Sequence, residues 1–402
     1  IAMVFGRDKE TSAVEQILNT TVLECDMRAI GARDVPINPE VLGEVAKSSC
    51  PVIRQFLIAC PQEDERPVES RLYFLRKATE KSLRRKGVHA FICSLSSKSI
   101  IYKGLMSSSQ IDFFYLDLLE DNYTAKMAVF HERYSTNTTS TWEMAQPFRL
   151  IAHNGEINTI KGNRLWMQAR EREMNSPYWN DDLETLKPII SQTGSDSLSL
   201  DNTLEFLCQS GMSAFHGMMM LIPDPYLDSP SMSPELKNFY IYHENLMEPW
   251  DGPAAIVFTD GDYVGAKLDR NGLRPLRYTL TKDGLVIMAS EAGVVDVDAS
   301  NLILHHHMSP GEIFAVSLDG EGILEDEQIK SQVSNATSYS NLISDSLQIL
   351  DRKNDQKEFG LFDVPQDGFD QKLHIALGWT KEDLTRFLIP MSEIGQEPIG
   401  SM

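Results

Sequence analysis

An arginine, an asparagine–glycine pair and an aspartate, each at the junction of two expected elements, are the residues of this chain best suited to chemistry. The string His131-Glu132-Arg133-Tyr134-Ser135-Thr136-Asn137 closes an expected strand. There Arg133 offers a planar two-pronged donor for a carboxylate, and the hydroxyls of Ser135 and Thr136 with nearby backbone N–H groups complete a pocket. A surface arginine paired with an acid fits the same residues and, taken alone, is the commoner case. In Ala152-His153-Asn154-Gly155-Glu156 a strand runs straight into a helix. Asn154 can present its side-chain amide, and Gly155 a backbone N–H with no side chain in the way. Two such donors aimed at one point make an oxyanion hole, although strand–Asn–Gly–helix is also a common turn. Gly194-Ser195-Asp196-Ser197 precedes an apolar pattern at Leu200, Leu204, Leu207 and Gly211. Asp196 can bind an ammonium group there, or Asp196 or Ser197 can simply cap the helix.

A cationic clamp, an oxyanion hole and an anionic clamp are together what a free α-amino acid with a side-chain carbonyl requires, and glutamine is such an amino acid. Arg133, Asn154, Gly155 and Asp196 are therefore expected to line one cleft at strand ends. A run of three histidines, His305-His306-His307, invites a metal. Successive residues of a strand point to opposite faces, so the three cannot converge on one ion, and no metal is expected.

The elements that must position these residues follow from apolar patterning. Residues 12–24 alternate at helical spacing until Asp34-Val35-Pro36 breaks the chain direction. Val52–Ala59 and Ala90–Leu95 read as buried strands, with a helix in the later half of Arg71–Arg85. Lys126–Arg133 and Phe148–His153 read as two more strands, and helical patterns dominate Glu156–Leu221 before a Pro, Asp and Ser-rich loop. Strands return at Ala254–Phe258, Tyr263–Lys267, Leu285–Ala289 and Ile313–Val316. Helices between two blocks of strands, without regular β–α alternation, predict an α+β layered domain. Residues 1–334 form that domain, 335–371 a polar irregular linker, and 372–402, with a short helix at Thr380–Leu388, the start of a passage to something further.

Composition narrows the partners. A net charge of −21 repels phosphate backbones and argues against nucleic acid. No stretch approaches the roughly 18 apolar residues that span a bilayer. Cys25, Cys50, Cys60, Cys93 and Cys208 are scattered, with no Cys-x-x-Cys pair, which fits a reducing compartment and no zinc site.

The three clusters resemble those of class II glutamine amidotransferases, a family of N-terminal-nucleophile hydrolases, and more closely the amidotransferase domain of glutamate synthase large chains. Further strings carry the likeness along the chain: Ala145–Arg149, His153–Thr159, Met247–Ala255, Asp269–Pro275, Pro310-Gly311-Glu312 and Glu397–Met402. Thr139, Ser140 and Glu143 depart from the family pattern. The resemblance implies a four-layer αββα sandwich, here lacking its first strands. It implies Arg133, with Ser135 and Thr136, on the substrate α-carboxylate, Asn154 and Gly155 on the oxyanion, and Asp196 on the α-ammonium.

In the family the nucleophile is a cysteine at the mature N-terminus, with the chain's own α-amine as base. Ile1–Phe5 read as a strand already under way, so that cysteine is expected ahead of Ile1, and this chain alone is expected to be inactive. The implied partners are L-glutamine or L-glutamate and the remaining domains of a glutamate synthase large chain, in the cytoplasm or a plastid stroma. No cofactor is expected in this chain, and FMN and an iron–sulfur cluster are expected on the other domains. A non-hydrolysing module that senses glutamine or glutamate is the alternative.

Overall fold

A computed structural model describes residues 1–61, 65–133, 140–191, 193–227, 229–320, 322–347 and 371–395. Contacts divide the chain into two units, Ile1–Asp345 and Ser346–Met402. In the first unit β1 (Ala2–Gly6), β2 (Arg28–Asp34), β3 (Val52–Ala59) and β4 (Ala90–Leu95) form an antiparallel sheet of order β2-β3-β1-β4. Side chains alternate across a strand, so a strand that is apolar at every position must be covered twice. Ala2 and Val4 pack against Val14, Ile17 and Leu18 of helix Thr11–Glu24 and against Leu72 and Leu75 of helix Val68–Lys86. Met3 and Phe5, on the other face, join Ile53, Phe114 and Trp142.

A second sheet holds β5 (Ile151–Gly155), β6 (Ala254–Thr259), β7 (Tyr263–Leu268), β11 (Ile313–Ser317) and β12 (Ile323–Leu324), in the order β12-β11-β7-β6-β5. Ile256, Phe258, Ile313 and Ala315 face Leu200 and Leu204 of helix Asp196–Gln209 and Met218 of helix Ala214–Leu221. Ala255, Ala266, Leu268 and Phe314 face the other way. There the Phe314 ring stacks on Tyr278, with centroids 3.8 Å apart. Tyr278 belongs to a third sheet, order β10-β8-β9, made of β8 (Arg277–Thr281), β9 (Val286–Ala289) and β10 (Leu302–His307). The class is α+β, with helices on one face of each larger sheet.

Two of the expected elements move. Phe148–His153 becomes β5, shifted to Ile151–Gly155. Lys126–Arg133 forms no ladder with any described strand. Side chains tether that segment instead: Lys126 Nζ donates to Leu318 O at 3.1 Å, and Thr259 Oγ1 lies 3.3 Å from Met127 Sδ. The helix expected in the later half of Arg71–Arg85 spans all of Val68–Lys86. Helix Pro234–Glu244, not anticipated, starts with Ser233 accepting from Leu236 N at 3.3 Å and with proline in its first turn. Helix Tyr339–Ser346 lies inside the stretch expected to be irregular, and its Tyr339 is buried against Phe239 and His243. The second unit contains helix Gln371–Ala376 and a helical run from Lys381 to Ile394.

Candidate functional site

The site is built on an edge strand. Among the described residues β5 pairs with β6 on one side only, and its other edge is met by side chains. Leu150 and Ile151 N–H groups donate to Asp201 Oδ1 at 2.7 and 3.1 Å. His153 N–H donates to Gln146 Oε1 at 2.7 Å, and Gln146 Nε2 donates back to His153 O at 3.0 Å. The amides of Ile151 and His153 therefore face the open edge. The alternation of an antiparallel strand sends Gly155 N–H the same way. Glu156 N–H confirms the phase by donating inward to Pro253 O at 3.0 Å. No described group accepts from Gly155 N–H, and the half-buried Asn154 side chain hydrogen-bonds to no described residue.

Glycine is required at position 155. Its φ is +137°, and a Cβ there would lie 1.7 Å from Pro253 O. The Asp251–Pro253 segment is held against the strand end by Thr159 N→Asp251 O at 3.3 Å and Asp251 N→Thr159 Oγ1 at 3.0 Å. Arg270 pairs with Asp251 at 2.7 Å from the other side. Two of the strings that the sequence singled out, at 247–255 and 269–275, thus serve to brace the strand end.

Helix Asp196–Gln209 brings the aspartate. Ser195 caps it, accepting from Leu198 N at 3.1 Å, so neither Asp196 nor Ser197 is consumed as a cap. Asp196 Oδ2 instead accepts from Ile157 N at 2.7 Å, and Oδ1 lies 3.3 Å from Ser197 Oγ. A carboxylate has about four lone-pair positions, which leaves capacity for an ammonium group. Arg164 steadies the turn, its Nη2 donating to Gly194 O at 2.9 Å and Ser195 O at 3.0 Å.

Behind these residues His153 is buried, with Nδ1 2.7 Å from Ser197 Oγ. Burial, against the pull of the Asp196 carboxylate, lowers its imidazole to about 4. It is neutral at physiological pH. Burial and the neighbouring Glu205 push Asp201 up to about 6.

The structure brings Asn154, Gly155 and Asp196 to one end of β5. Arg133 is exposed and makes no ion pair with a described residue. It lies two residues beyond His131, whose Nε2 is 3.5 Å from Gln146 Nε2. Ser135 and Thr136 fall outside the described residues. Gln146, Asp201 and the ring of His153 have no role assigned from sequence, and Ser197 only that of a candidate helix cap, although Gln146, His153 and Ser197 stand inside the quoted strings. A cavity of about 260 Å³ lies at the third sheet, lined by Arg277, Thr279 and His305 among others, and none of the expected site residues lines it.

The histidine run behaves as strand geometry requires. His305 and His307 share a face, with ring centroids 5.6 Å apart, while His306 turns to Glu312 at 2.9 Å. Among the described residues no three His, Cys, Asp or Glu side chains could hold a metal ion.

The family model for class II glutamine amidotransferases matches residues 1–342. This chain belongs to that family. Its relatives include the glutamate synthase [NADPH] large chain of Bacillus subtilis, 40% identical over 408 residues covering 100% of this chain and 26% of the relative. The ferredoxin-dependent glutamate synthase 2 of Synechocystis is 40% identical over 99% of this chain and 26% of its own. The glutamate synthase [NADH] of Saccharomyces cerevisiae is 38% identical over 96% of this chain and 19% of its own. The chain thus spans about a quarter of the length of the first two. Among solved structures, a glutamine phosphoribosylpyrophosphate amidotransferase from B. subtilis, complexed with ADP and GMP, matches 48% of this chain and 33% of its own at 21% identity and a TM-score of 0.29. The chain has the fold of its family, an N-terminal-nucleophile hydrolase fold. No described helix is long and apolar enough to cross a membrane.

Proposed function

We propose that this chain binds L-glutamine as the amidotransferase part of a glutamate synthase, and that ammonia released from the amide serves reductive amination of 2-oxoglutarate. One observation carries the reading. The Asn154 amide and Gly155 N–H stand without described partners at the end of β5, beside an Asp196 carboxylate locked to Ile157 N at 2.7 Å. In this reading Asn154 and Gly155 hold the oxyanion, Asp196 takes the α-ammonium, and Arg133, with Ser135 and Thr136, takes the α-carboxylate.

In this reading the attacking thiolate is not one of the chain's own, and four of its five cysteines, all but Cys60, carry thiols that burial makes harder to ionise. Burial raises the thiols of Cys93, Cys50 and Cys208 and pushes Cys25 up to about 11, the reverse of what a nucleophile needs. The 402-residue chain by itself then orients glutamine without cleaving it.

The remaining domains of a longer polypeptide would supply FMN and an iron–sulfur cluster. Among the described residues here no group of ligands fits such a cluster, and no step above passes through either cofactor. We place the amidotransferase part at residues 1–334, a linker at 335–371 and the passage onward at 372–402, in a cytoplasmic or plastid stromal enzyme.

The test is calorimetric titration with L-glutamine and L-glutamate alongside an ammonia assay. The chain should bind glutamine and release no ammonia, and an extended chain with an N-terminal cysteine should release it. Arg133→Lys should weaken binding by about 1.5–3 kcal/mol, since a point ammonium cannot replace the two-pronged contact. Turnover by the short chain would place the nucleophile among its own residues. Binding by both chains without turnover by either would favour a non-hydrolysing sensor.

A further inference from the structure

We infer that His153 is a positioning residue, which fixes the Asp196 carboxylate through the Ser197 hydroxyl and so sets the ammonium clamp of the glutamine site. The inference rests on the proposed function for its ligand, but its geometry stands on the chain alone.

Two arrangements of protons satisfy the 2.7 Å contact between His153 Nδ1 and Ser197 Oγ. In the first, Nδ1–H donates to Ser197, and Ser197 Oγ–H donates onward to Asp196 Oδ1 at 3.3 Å. His153 Nε2 is then a bare lone pair. In the second, Ser197 donates to Nδ1, Asp196 Oδ1 loses its donor, and Nε2 carries a hydrogen. Nε2 is enclosed and has no hydrogen-bond partner. A buried N–H without an acceptor is rarer and costlier than an acceptor left under-used. The first arrangement therefore holds, and the chain runs one way, from His153 through Ser197 to Asp196.

The surroundings keep the imidazole in that state. The charged and titratable groups acting on His153 are Asp196 on its helix, His131 before the Arg133 segment, and Arg274 and Asp269 on the loop after β7. Burial outweighs them, so the ring is neutral and does not cancel the negative charge that the clamp presents. Ser195, not Ser197, caps the helix, so Ser197 is free for this role. Asp196 is then held at both oxygens, by Ile157 N at 2.7 Å and by Ser197, with its other lone pairs open.

A buried histidine–serine bond that only stabilises the core is the competing explanation, and the experiment separates the two. L-glutamate and L-glutamine are titrated calorimetrically into the 402-residue chain and into His153→Leu, His153→Asn, Ser197→Ala, Asp196→Asn and the Ser197→Ala/Asp196→Asn double variant. Thermal melting accompanies each variant. Ser197→Ala and His153→Leu should weaken binding about tenfold, the size of one hydrogen bond to a charged group. His153→Asn, whose amide nitrogen stands near the place of Nδ1, should restore affinity to within about threefold. In the Asp196→Asn background Ser197→Ala should cost nothing further.

An equal loss from Ser197→Ala in both backgrounds would overturn the inference, since a merely structural serine would be felt either way. ¹⁵N NMR of the imidazole gives a readout that needs no ligand. His153 should hold Nδ1–H in the intact chain and lose that tautomer in Ser197→Ala. An Nε2–H tautomer in the intact chain would refute it. If neither amino acid binds the intact chain, the glutamine reading falls, and the tautomer alone decides the histidine's role.

Discussion

Replacing Gly155 by alanine tests the strand end more severely than any other single change. The new Cβ would sit 1.7 Å from Pro253 O and 2.8 Å from Pro253 C, whereas real contacts begin near 3.0 Å. Both atoms are backbone, so no rotamer relieves the clash. The two segments must separate by about 1.3 Å, which breaks the Glu156 N–H bond to Pro253 O. The φ of +137° adds its own strain for an L-residue. Strain of about 1–3 kcal/mol and a lost backbone hydrogen bond of roughly 1–3 kcal/mol combine to an expected destabilisation of about 2–6 kcal/mol. Urea unfolding followed by tryptophan fluorescence is well suited to the measurement, because Trp250 is buried just before the affected segment. Gly162→Ala is the control. It lies inside helix Ile160–Glu173 with nothing within 4 Å of the added carbon, and should stabilise by roughly 0.5–1 kcal/mol. If Gly155→Ala shifts the unfolding free energy by less than 1 kcal/mol, the close approach of the two segments described here is wrong.

Two further expectations concern stability. Lys267 is fully buried with Asp224 at 2.6 Å, and Lys330 reaches the same carboxylate at 2.5 Å; Asp224→Ala should therefore cost about 3–5 kcal/mol, and a loss under 1 kcal/mol in the same unfolding assay would contradict that account. His243 Nδ1–H donates to Phe239 O at 2.8 Å, so His243 Nε2 is the acceptor and His216 Nε2–H the donor across their 2.7 Å contact, and a second proton between those two nitrogens does not fit. Burial and then His243 lower His216 to about 4, below its value in the unfolded chain. Above pH ~6.5 both states are neutral there, and as pH falls from 6.5 toward 4 the unfolded chain takes protons that the folded one refuses. Stability should decline over that window by up to about 1.4 kcal/mol per pH unit for this residue, and His216→Gln should flatten the slope; an unchanged slope would remove the pair from the explanation.

What the sequence made legible tracks what is local. β3 and β4 appear with the expected bounds, because mostly apolar runs of strand length favour a strand even though β3 carries Arg54 and Gln55 and leaves Leu57 exposed. β2 was missed, since its RAIGARD sequence has no alternation and every residue is exposed. Only its backbone pairing with β3 makes it a strand. Lys126–Arg133 has the strand pattern without a described neighbour to pair with, and pattern alone does not hold a backbone extended. Helix Pro234–Glu244 was within reach, because Ser233-Pro234-Glu235 is a helix start signal. At the site, Asn154, Gly155 and Asp196 could be named from short strings. The functions of Gln146, Ser197 and Asp201 could not, because each depends on a partner brought near by folding, as Leu150 and Asp201 are across 51 residues. The helix cap fell on Ser195, a residue earlier than either candidate, since a cap is decided by backbone geometry at the turn.

The open edge of β5 has a meaning in terms of the ladder itself. A sheet edge ordinarily offers a regular row of amide donors to whatever strand comes next. Here the rungs at Ile151 and His153 are already taken, by an aspartate and a glutamine side chain, and the row resumes at Gly155 with nothing described in place. Under the proposed reading, the amide oxygen of bound glutamine is the acceptor that a neighbouring strand would have contributed at that rung. The substrate is then received as a one-residue extension of the sheet, and the side chains that fill the earlier rungs leave a second strand no place to compete for it.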